Sequence, residues 1–314
     1  MSTNRAGHKP LIVAVVGPTA SGKTSIGVDL ARRFGGEVVS ADSRQVYRGM
    51  DIGSGKATRR EMRGIPHHML DVASPKRTFS VARFKSKGEK IIKRILQNGK
   101  LPIVVGGTGF YVDALLHGAA IPSVKPDAAL RRRLEHRTTD DLFSELRRRD
   151  PRRARTIDRH NRRRLVRALE IVISTGRPVP EPAAATSAQS PYRVLMIGIA
   201  REPDDLKRRI AKRLHERLRR GMIAEVKRLH DKDGISWKRL DGFGLEYRYV
   251  SRYLRGFVTR DEMAKSLEHE IWLYAKRQMT WFRRNSDIHW VSSVTQAASL
   301  VKGALRKSDW AIKK

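Results

Sequence analysis

The sequence has no cysteine among its 314 residues. Disulfide bonds and cysteine-ligated zinc or iron–sulfur sites are therefore excluded, which fits the reducing cytoplasm. No apolar run approaches the roughly 20 residues that a membrane-spanning helix needs. The opening stretch, MSTNRAGHKP, has no apolar segment long enough for a secretory signal. We therefore expect a cytoplasmic protein that uses neither zinc nor a membrane.

Acidic residues are scarce relative to basic ones. Lys and Arg together number 66 and Asp and Glu 32, so the formal net charge is +34 at pH 7. A chain with this excess attracts polyanions and repels itself in their absence. Nucleic acid is the favoured partner, although a generally basic, solvated surface would give the same composition.

The N-terminal part of the chain alternates short apolar runs with amphipathic segments. Apolar runs predict strands at residues 11–16, 37–40 and 101–105. The intervening segments that predict helices are residues 23–34, 81–97 and 110–116. Strands that alternate with helices are typical of an α/β fold with a parallel sheet, because parallel neighbours need a crossover connection.

A basic helical segment interrupts this pattern. Residues 125–167 have leucines at partly helical spacing and contain the triplet RRR three times. A loop or linker rich in Pro, Ala and Ser follows at residues 175–191, and a strand-like run occupies residues 192–200. From residue 201 the chain is predicted to be mostly helical. The predicted domains are a first part of the core, a polyanion-binding helical insertion with its linker, and a second part of the core, at residues 1–124, 125–190 and 191–314.

The stretch GPTASGKT, residues 17–24, lies between the first predicted strand and the first predicted helix. It matches G-x-x-x-x-G-K-[ST], a loop whose backbone N–H groups hold phosphate oxygens at a helix N-terminus. In this pattern Lys23 supplies a cation and Thr24 a hydroxyl ligand for Mg²⁺. The alternative is a glycine-rich turn without a ligand. The predicted diphosphate-binding residues are Gly17, Pro18, Thr19, Ala20, Ser21, Gly22, Lys23 and Thr24.

The rest of the sequence argues against a nucleoside triphosphate in this loop. A triphosphatase normally places an Asp at the end of a second buried strand, but the strand at residues 101–105 is followed by Gly106, Gly107 and Thr108. Asp42 instead follows the second predicted strand and should reach the same sheet edge as the loop. A carboxylate there would bind Mg²⁺ or accept a proton from the attacking group. The alternative is that Asp42 caps a turn through its own backbone.

Longer stretches of the sequence identify a family. GPTASGKT (17–24), SADSRQVYRGMDIGSGKA (40–57), PIVVGGTGFYVDALL (102–116) and YAKRQMTWFRR (274–284) occur in the order found in the tRNA dimethylallyltransferases. The chain resembles this family, also called the tRNA isopentenyltransferases, to about residue 290. The resemblance implies a P-loop-type parallel sheet with flanking helices and an inserted all-helical tRNA-binding domain.

The same resemblance implies an activity. Enzymes of this family transfer a dimethylallyl group from dimethylallyl diphosphate to N6 of adenosine 37 in tRNA, immediately 3′ of the anticodon. Mg²⁺ assists the reaction, and no triphosphate is hydrolysed. We expect this chain to act in the same way, as a monomer.

Residue roles follow from the resemblance as well. Asp42 matches the base, and Thr108 lines the channel where the diphosphate and the target base meet. Arg213 matches the arginine that contacts the diphosphate beside Lys23, with Arg209 one helical turn earlier as the alternative. The target adenosine must leave the stacked anticodon loop before it can react. The residues expected to contact tRNA are Asp42, Ser43, Arg44, Gln45, Thr108, Arg131, Arg163, Arg164, Leu165, Val166, Arg167, Arg277 and Gln278.

Three other functions stay open at this point. A P-loop small-molecule kinase would use ATP, and the basic insertion and the absent strand-end Asp both oppose it. An adenylate prenyltransferase would share the chemistry but act on free nucleotide, which needs no basic insertion. A non-catalytic RNA-binding protein would not need Lys23, Asp42 and Thr108 together.

Overall fold

The computed structural model of the chain describes residues 9–117, 124, 127–180 and 190–307. These residues form two compact units. Unit 1 contains the described residues up to 117 and from 190 onward, and unit 2 contains those between 124 and 180. Residue 125, where the predicted insertion starts, and residues 181–189 of the predicted linker lie outside the described residues. The domain limits inferred from the sequence therefore stay a prediction.

In the part of the chain that the structure describes, unit 1 is built on a six-stranded parallel sheet. The strands, in chain order from β1 to β6, are Leu11–Val16, Gly36–Ser40, His67–His68, Leu101–Gly106, Arg193–Ile199 and Ile288–Val291. Their order across the sheet is β3-β2-β4-β1-β5-β6. Every residue of β1 and β4 is buried. This burial explains the continuous apolar run LIVAVV, because helices cover both faces of a parallel sheet.

Helices surround the sheet of unit 1 and also make up unit 2. The helices, in chain order from α1 to α14, are Lys23–Arg33, Arg59–Met62, Val81–Gln97, Gly109–Leu116, Ala128–Glu135, Thr139–Arg149, Pro151–Thr156, Arg162–Thr175, Pro203–Arg219, Met222–Asp231, Trp237–Phe243, Leu245–Leu254, Arg260–Phe282 and Val294–Arg306. Helices α5 to α8 belong to unit 2, and the others belong to unit 1. Among the described helices, none combines the length and the apolarity needed to cross a membrane.

Alternate residues of β1 face two different layers of unit 1, because successive side chains of a strand point to opposite faces of its sheet. On one face, Leu11, Val13 and Val15 pack with α1 and α14. On the other face, Ile12 and Val16 pack with α3, α4 and the helices from α9 to α13. The layered α/β fold that the sequence predicts is thus confirmed.

Two strands were not predicted from the sequence. Strand β3 has only two residues, which is too short to produce an alternating pattern in the sequence. Strand β6 lies in the part of the chain that the sequence predicts to be mostly helical, but residues 288–291 pair with β5 in parallel, starting with Ile288 opposite Met196. Pairing with a neighbouring strand, rather than local sequence, therefore decides the structure of both segments.

Unit 2 has a core of its own, formed by buried aliphatic side chains that include six leucines of α5, α6 and α8. Glu170 of α8 is fully buried beside this core. Its carboxylate accepts hydrogen bonds of 2.5–2.8 Å from the guanidinium groups of Arg131 and Arg167 and from the amide of Asp127. Burial opposes ionisation of Glu170, but these donors more than offset it, so the pKa of Glu170 lies below its usual range. One buried acid thereby fixes two arginines of the basic segment.

Candidate active site

A cavity of about 470 Å³ opens in unit 1 where β1, β2 and β4 end. Its lining comes from the loop after each of these strands and from helices α9, α12 and α13. The carboxyl ends of parallel strands meet at one edge of a sheet, so residues far apart in the sequence converge there. The lining residues with polar side chains include Lys23, Thr24, Asp42, Thr108, Arg213, Tyr274 and Gln278.

The loop GPTASGKT connects β1 to α1. Gly17 and Gly22 have φ angles of 147° and 93°, which favour glycine. A Cβ at Gly17 would also lie 3.1 Å from the carbonyl oxygen of Ile199, so the loop runs close to the end of β5. The loop ends at the N-terminus of α1, where free N–H groups and the helix dipole favour an anion.

Lys23 is the first residue of α1, and its ammonium donates a hydrogen bond of 3.0 Å to the carbonyl oxygen of Pro18. Burial and the positive charge of Arg213 lower the pKa of Lys23 to about 8, while the charge of Asp42 acts in the opposite direction. Burial and Arg217 also lower the pKa of Arg213. An anion bound near these cations would favour their charged forms.

Gln278 of α13 ties this loop to the loop after β4. Its buried side chain accepts a hydrogen bond of 2.8 Å from the amide of Thr19 and donates one of 2.7 Å to the carbonyl oxygen of Gly107. A Cβ at Gly107 would lie 2.3 Å from Nε2 of Gln278. The geometry gives Gln278 a positioning role, and the tRNA contact expected of it stays a prediction.

Asp42 lies just beyond β2 and lines the cavity. Its Oδ1 accepts hydrogen bonds from the amides of Arg44 at 2.8 Å and Gln45 at 3.3 Å. Its Oδ2 has no hydrogen-bond donor within the described part of the chain. Asp42 therefore caps a turn with one oxygen and keeps the other available to accept a proton.

Thr108 is the residue before α4. It lies between Ser43, which follows Asp42, and helix α13. Its hydroxyl accepts a hydrogen bond of 3.3 Å from the amide of Ser43 and interacts with the phenol of Tyr274. Burial, followed by the negative charge of Asp42, raises the pKa of Tyr274 to about 12. Tyr274 therefore stays protonated at physiological pH and holds Thr108 beside the Asp42 segment.

Arg213 of α9 lines the cavity and donates a hydrogen bond of 3.0 Å to the carbonyl oxygen of Gly55. Glu225, a buried residue of α10, holds the same segment by accepting hydrogen bonds of 2.7–3.0 Å from the backbone amides of residues 51–53. Arg209, the alternative to Arg213, is absent from the described lining and pairs with Asp205 at 2.9 Å. Arg213 is therefore the arginine of this helix that the structure brings to the loop.

The residues predicted to contact tRNA fall into two sets, one in each unit. Those that line the cavity of unit 1 are Asp42, Ser43, Arg44, Gln45, Thr108, Arg277 and Gln278. Those in unit 2 are Arg131, Arg163, Arg164, Leu165, Val166 and Arg167. Arg163 and Arg164 are exposed in the first turn of α8, whereas Leu165 and Val166 are buried. The tRNA contacts of both sets stay predictions, and burial leaves the side chains of Leu165 and Val166 little surface for such contacts.

Some residues that shape the site were not predicted. The aromatic residues around Tyr274 have near-helical spacing, which favours packing of a C-terminal helix over a base-stacking platform, and Glu225 lies in a helix without any recognised motif. Two glycines could have indicated these contacts from the sequence, because glycine often occurs where another group packs closely against the backbone. A Cβ at Gly55 would lie 2.3 Å from Nη2 of Arg213, and a Cβ at Gly53 would lie 2.7 Å from Cζ of Tyr247.

Oxygen ligands for a metal are few in this cavity. Within the described residues, no three His, Asp or Glu side chains are grouped to hold a metal ion. Thr24 and Asp42 both line the cavity. Mg²⁺ commonly uses one or two protein oxygens together with substrate phosphates and water. The donor set therefore fits a Mg²⁺ ion that binds together with a phosphate-bearing substrate.

Comparisons of sequence agree on one family. A family model described as IPP transferase matches residues 45–285. The tRNA dimethylallyltransferase of Pelotomaculum thermopropionicum is 39% identical over 286 residues, which cover 90% of this chain and 90% of that protein. The protein of the same name from Halalkalibacterium halodurans is 42% identical over 287 residues, which cover 90% of this chain and 91% of that protein.

Solved structures give the same result. The full-length tRNA isopentenylpyrophosphate transferase from Bacillus halodurans superposes with a TM-score of 0.71 at 38% identity, covering 95% of this chain and 97% of that chain. A eukaryotic dimethylallyltransferase, solved while acting on tRNA, has a TM-score of 0.77 at 24% identity, covering 97% of this chain and 81% of that chain. At that identity the second likeness concerns the fold alone.

Removal of the Gln278 side chain should weaken diphosphate binding. Each of its two hydrogen bonds is worth about 0.5–1.5 kcal/mol, so Gln278→Ala should lower the affinity for inorganic diphosphate with Mg²⁺ by about tenfold. Isothermal titration calorimetry measures this affinity. Gln97→Ala, which removes an exposed glutamine at the end of α3, serves as the control and should change nothing. Equal affinities for the two variants would contradict the positioning role of Gln278.

The lowered pKa of Lys23 should couple ligand binding to pH. Lys23 loses its proton above about pH 8, and a bound diphosphate favours the charged ammonium, so binding above that pH should take up a proton. The affinity for inorganic diphosphate should then fall by about tenfold per pH unit above the pKa of the free enzyme. Calorimetry at pH 9 in buffers of different ionisation enthalpy counts the protons. The uptake should disappear in Lys23→Met; if it persists, another group is responsible.

Proposed function

The chain belongs to the IPP transferase family, and on that premise we propose that it transfers the dimethylallyl group of dimethylallyl diphosphate to N6 of adenosine 37 in tRNA. One observation carries the proposal. A single cavity combines an anion-binding loop and two cations, Lys23 and Arg213, with a carboxylate that has one uncommitted oxygen. The names of its relatives describe prenyl transfer to tRNA, which supports the same reaction here.

The reaction needs two kinds of assistance. The bond between the allylic carbon and the diphosphate oxygen breaks, and its electron pair leaves with the diphosphate. A new bond forms between that carbon and N6 of adenosine, and N6 loses a proton. The loop amides, Lys23 and Arg213 stabilise the negative charge on the leaving diphosphate. Oδ2 of Asp42 accepts the proton from N6.

Other residues keep this machinery in place. Gln278 holds the phosphate loop against the loop after β4 through its bonds to Thr19 and Gly107. Tyr274 and Thr108 hold the segment that follows Asp42. Mg²⁺ would be held by the hydroxyl of Thr24 together with diphosphate oxygens, and it would supply further charge neutralisation.

Side chains in both units support tRNA as the partner. The exposed Arg163 and Arg164 of unit 2 offer phosphate contacts to tRNA, and Ser43, Arg44 and Arg277 do so at the cavity. We further propose that the enzyme works as a monomer in the cytoplasm and without zinc. All the reacting groups come from one chain, and the sequence contains no cysteine.

Two alternatives are less well supported. A kinase would normally carry an Asp at the end of a second buried strand, but β4 ends at Gly106, where a Cβ would lie 2.2 Å from the carbonyl oxygen of Ala41. An adenylate prenyltransferase would have no use for the basic helices of unit 2. Neither alternative explains the site and the charge together.

One assay separates these functions. The protein is incubated with Mg²⁺ and labelled dimethylallyl diphosphate, and unmodified tRNA, AMP and ATP are supplied in parallel reactions. We expect label in tRNA alone, released by digestion as N6-(dimethylallyl)adenosine. Label in AMP would favour the adenylate prenyltransferase. Loss of the γ-phosphate from ATP without prenyl transfer would favour the kinase.

Asp42→Asn should separate chemistry from binding. The amide keeps an oxygen that can cap the turn but cannot accept the N6 proton, so the transfer rate should fall by roughly 10²–10⁴-fold. Filter binding should show tRNA affinity within about twofold of the wild type, because the fold and the cations are unchanged. Asp261→Asn, an exposed change in the first turn of α13, is the control. A fully active Asp42→Asn variant would remove Asp42 from the role of base.

A further inference from the structure

Unit 1 has a second concave surface, which we call the basic hollow. It lies between residues 72–79 and the first turns of α3, encloses about 1090 Å³ and shares no lining residue with the cavity described above. No acidic residue lines it among the described residues. The basic residues that line it are Arg48, Lys76, Arg77, Arg83, Lys87 and Lys90.

Helix periodicity places half of these cations side by side. Phe84, Gly88 and residues 92 and 95 of α3 are buried against the sheet. Arg83, Lys87 and Lys90 recur at i, i+4 and i+7, so they share the opposite, exposed face. An acid on this helix, Glu89, pairs with Lys85 at 4.0 Å instead. The helix therefore presents a continuous row of positive charge to solvent.

The charges of the basic hollow are not neutralised by the protein. Within the described residues, none of the exposed side chains of Lys76, Arg77, Arg83, Lys87 and Lys90 forms an ion pair. Like charges held this close repel one another, and bound counterions or a polyanion reduce that repulsion. An external anion is therefore the chemical complement of this surface.

The opposite wall of the basic hollow is held in place by the core. Arg239 of α11 donates hydrogen bonds of 2.9 Å to the carbonyl oxygens of Pro75 and Arg77. The amide of Phe79 donates one of 3.1 Å to the hydroxyl of Tyr47. Arg239 also lies 4.5 Å from the ring centroid of Phe243, a residue that lines the active-site cavity. The wall is therefore fixed before any ligand binds, and it shares an anchor with the site.

We propose that the basic hollow binds the phosphodiester backbone of tRNA at a place separate from the reacting nucleotide. Its dimensions exceed those of one phosphate group, and its lining offers many cations but no exposed aromatic ring for stacking a base. Contacts of this kind position a nucleic acid without reading its sequence. The identity of the RNA as tRNA rests on the proposed function; the affinity for a phosphate-rich chain rests on the hollow itself.

Two triple variants with the same loss of charge test the inference. The first is Arg83→Gln/Lys87→Gln/Lys90→Gln in the basic hollow. The second is Arg32→Gln/Lys302→Gln/Arg306→Gln, which changes exposed cations of α1 and α14 on the opposite face of the sheet. Binding of unmodified tRNA is measured between low and physiological salt, and circular dichroism with thermal unfolding checks the fold of each full-length variant.

The hollow variant should lose about two to three units from the slope of log affinity against log salt, roughly one per phosphate contact. Its affinity at low salt should fall by about tenfold or more, while its affinity for dimethylallyl diphosphate should match that of the wild type. The control variant should keep the slope of the wild type. Equal slopes for the two variants would overturn the inference, because net charge alone would then explain the effect.

Further measurements show whether the basic hollow binds RNA or a small phosphate anion, and they separate failure of this inference from failure of the proposed function. If the hollow variant loses affinity for inorganic tripolyphosphate but not for tRNA, the basic hollow is a small-anion site and the inference is wrong. If wild-type protein transfers label to tRNA while the two variants bind alike, only this inference fails. If wild-type protein transfers no label to tRNA but the hollow variant has a reduced slope of log affinity against log salt, the proposed reaction fails and the inference of an RNA-binding surface holds.

Discussion

Parallel pairing of β1, β2 and β4 brings their carboxyl ends to one edge of the sheet, and the whole site depends on this convergence. The register sets Val16 opposite Gly106 and Ser40 opposite Val105. The chain leaves β1 into the phosphate loop, β2 into Asp42 and β4 into Thr108. Helix α13 then crosses this edge, where Gln278 forms hydrogen bonds with two of the three loops and Tyr274 interacts with Thr108. The backbone ladder thus sets the distances on which phosphate binding and proton transfer rely.

Acidic side chains are few, and several of them organise their surroundings from buried positions. Glu225 accepts hydrogen bonds from the three backbone amides of residues 51–53. This holds the segment in which the carbonyl oxygen of Gly55 accepts a hydrogen bond from Arg213. Glu246, which is half-buried, accepts a hydrogen bond of 2.7 Å from Arg217 beside the cavity. A buried carboxylate is stable only when its donors compensate for lost hydration. With these acids used internally, much of the exposed positive charge has no protein partner and is available to RNA.

Local sequence patterns were enough to predict part of this structure. Apolar runs located four of the strands, and the loop pattern together with Asp42 pointed to one sheet edge. Gln278 could not be placed in the same way, because its hydrogen-bond partners lie 259 and 171 residues away in the sequence. Arg213 was distinguished from Arg209 only by resemblance, since both lie on one helix. The basic hollow was also hidden, because Arg48 and the row on α3 become neighbours only in the folded chain.

The close contact at Gly106 has a consequence for how this fold can evolve. A Cβ there would meet the carbonyl oxygen of Ala41 at 2.2 Å, so every other residue type would force β2 and β4 apart. An acid at position 106 therefore cannot be gained by a single substitution unless the backbone at Ala41 moves. Backbone packing, independent of selection on the reacting groups, therefore restricts position 106 to glycine.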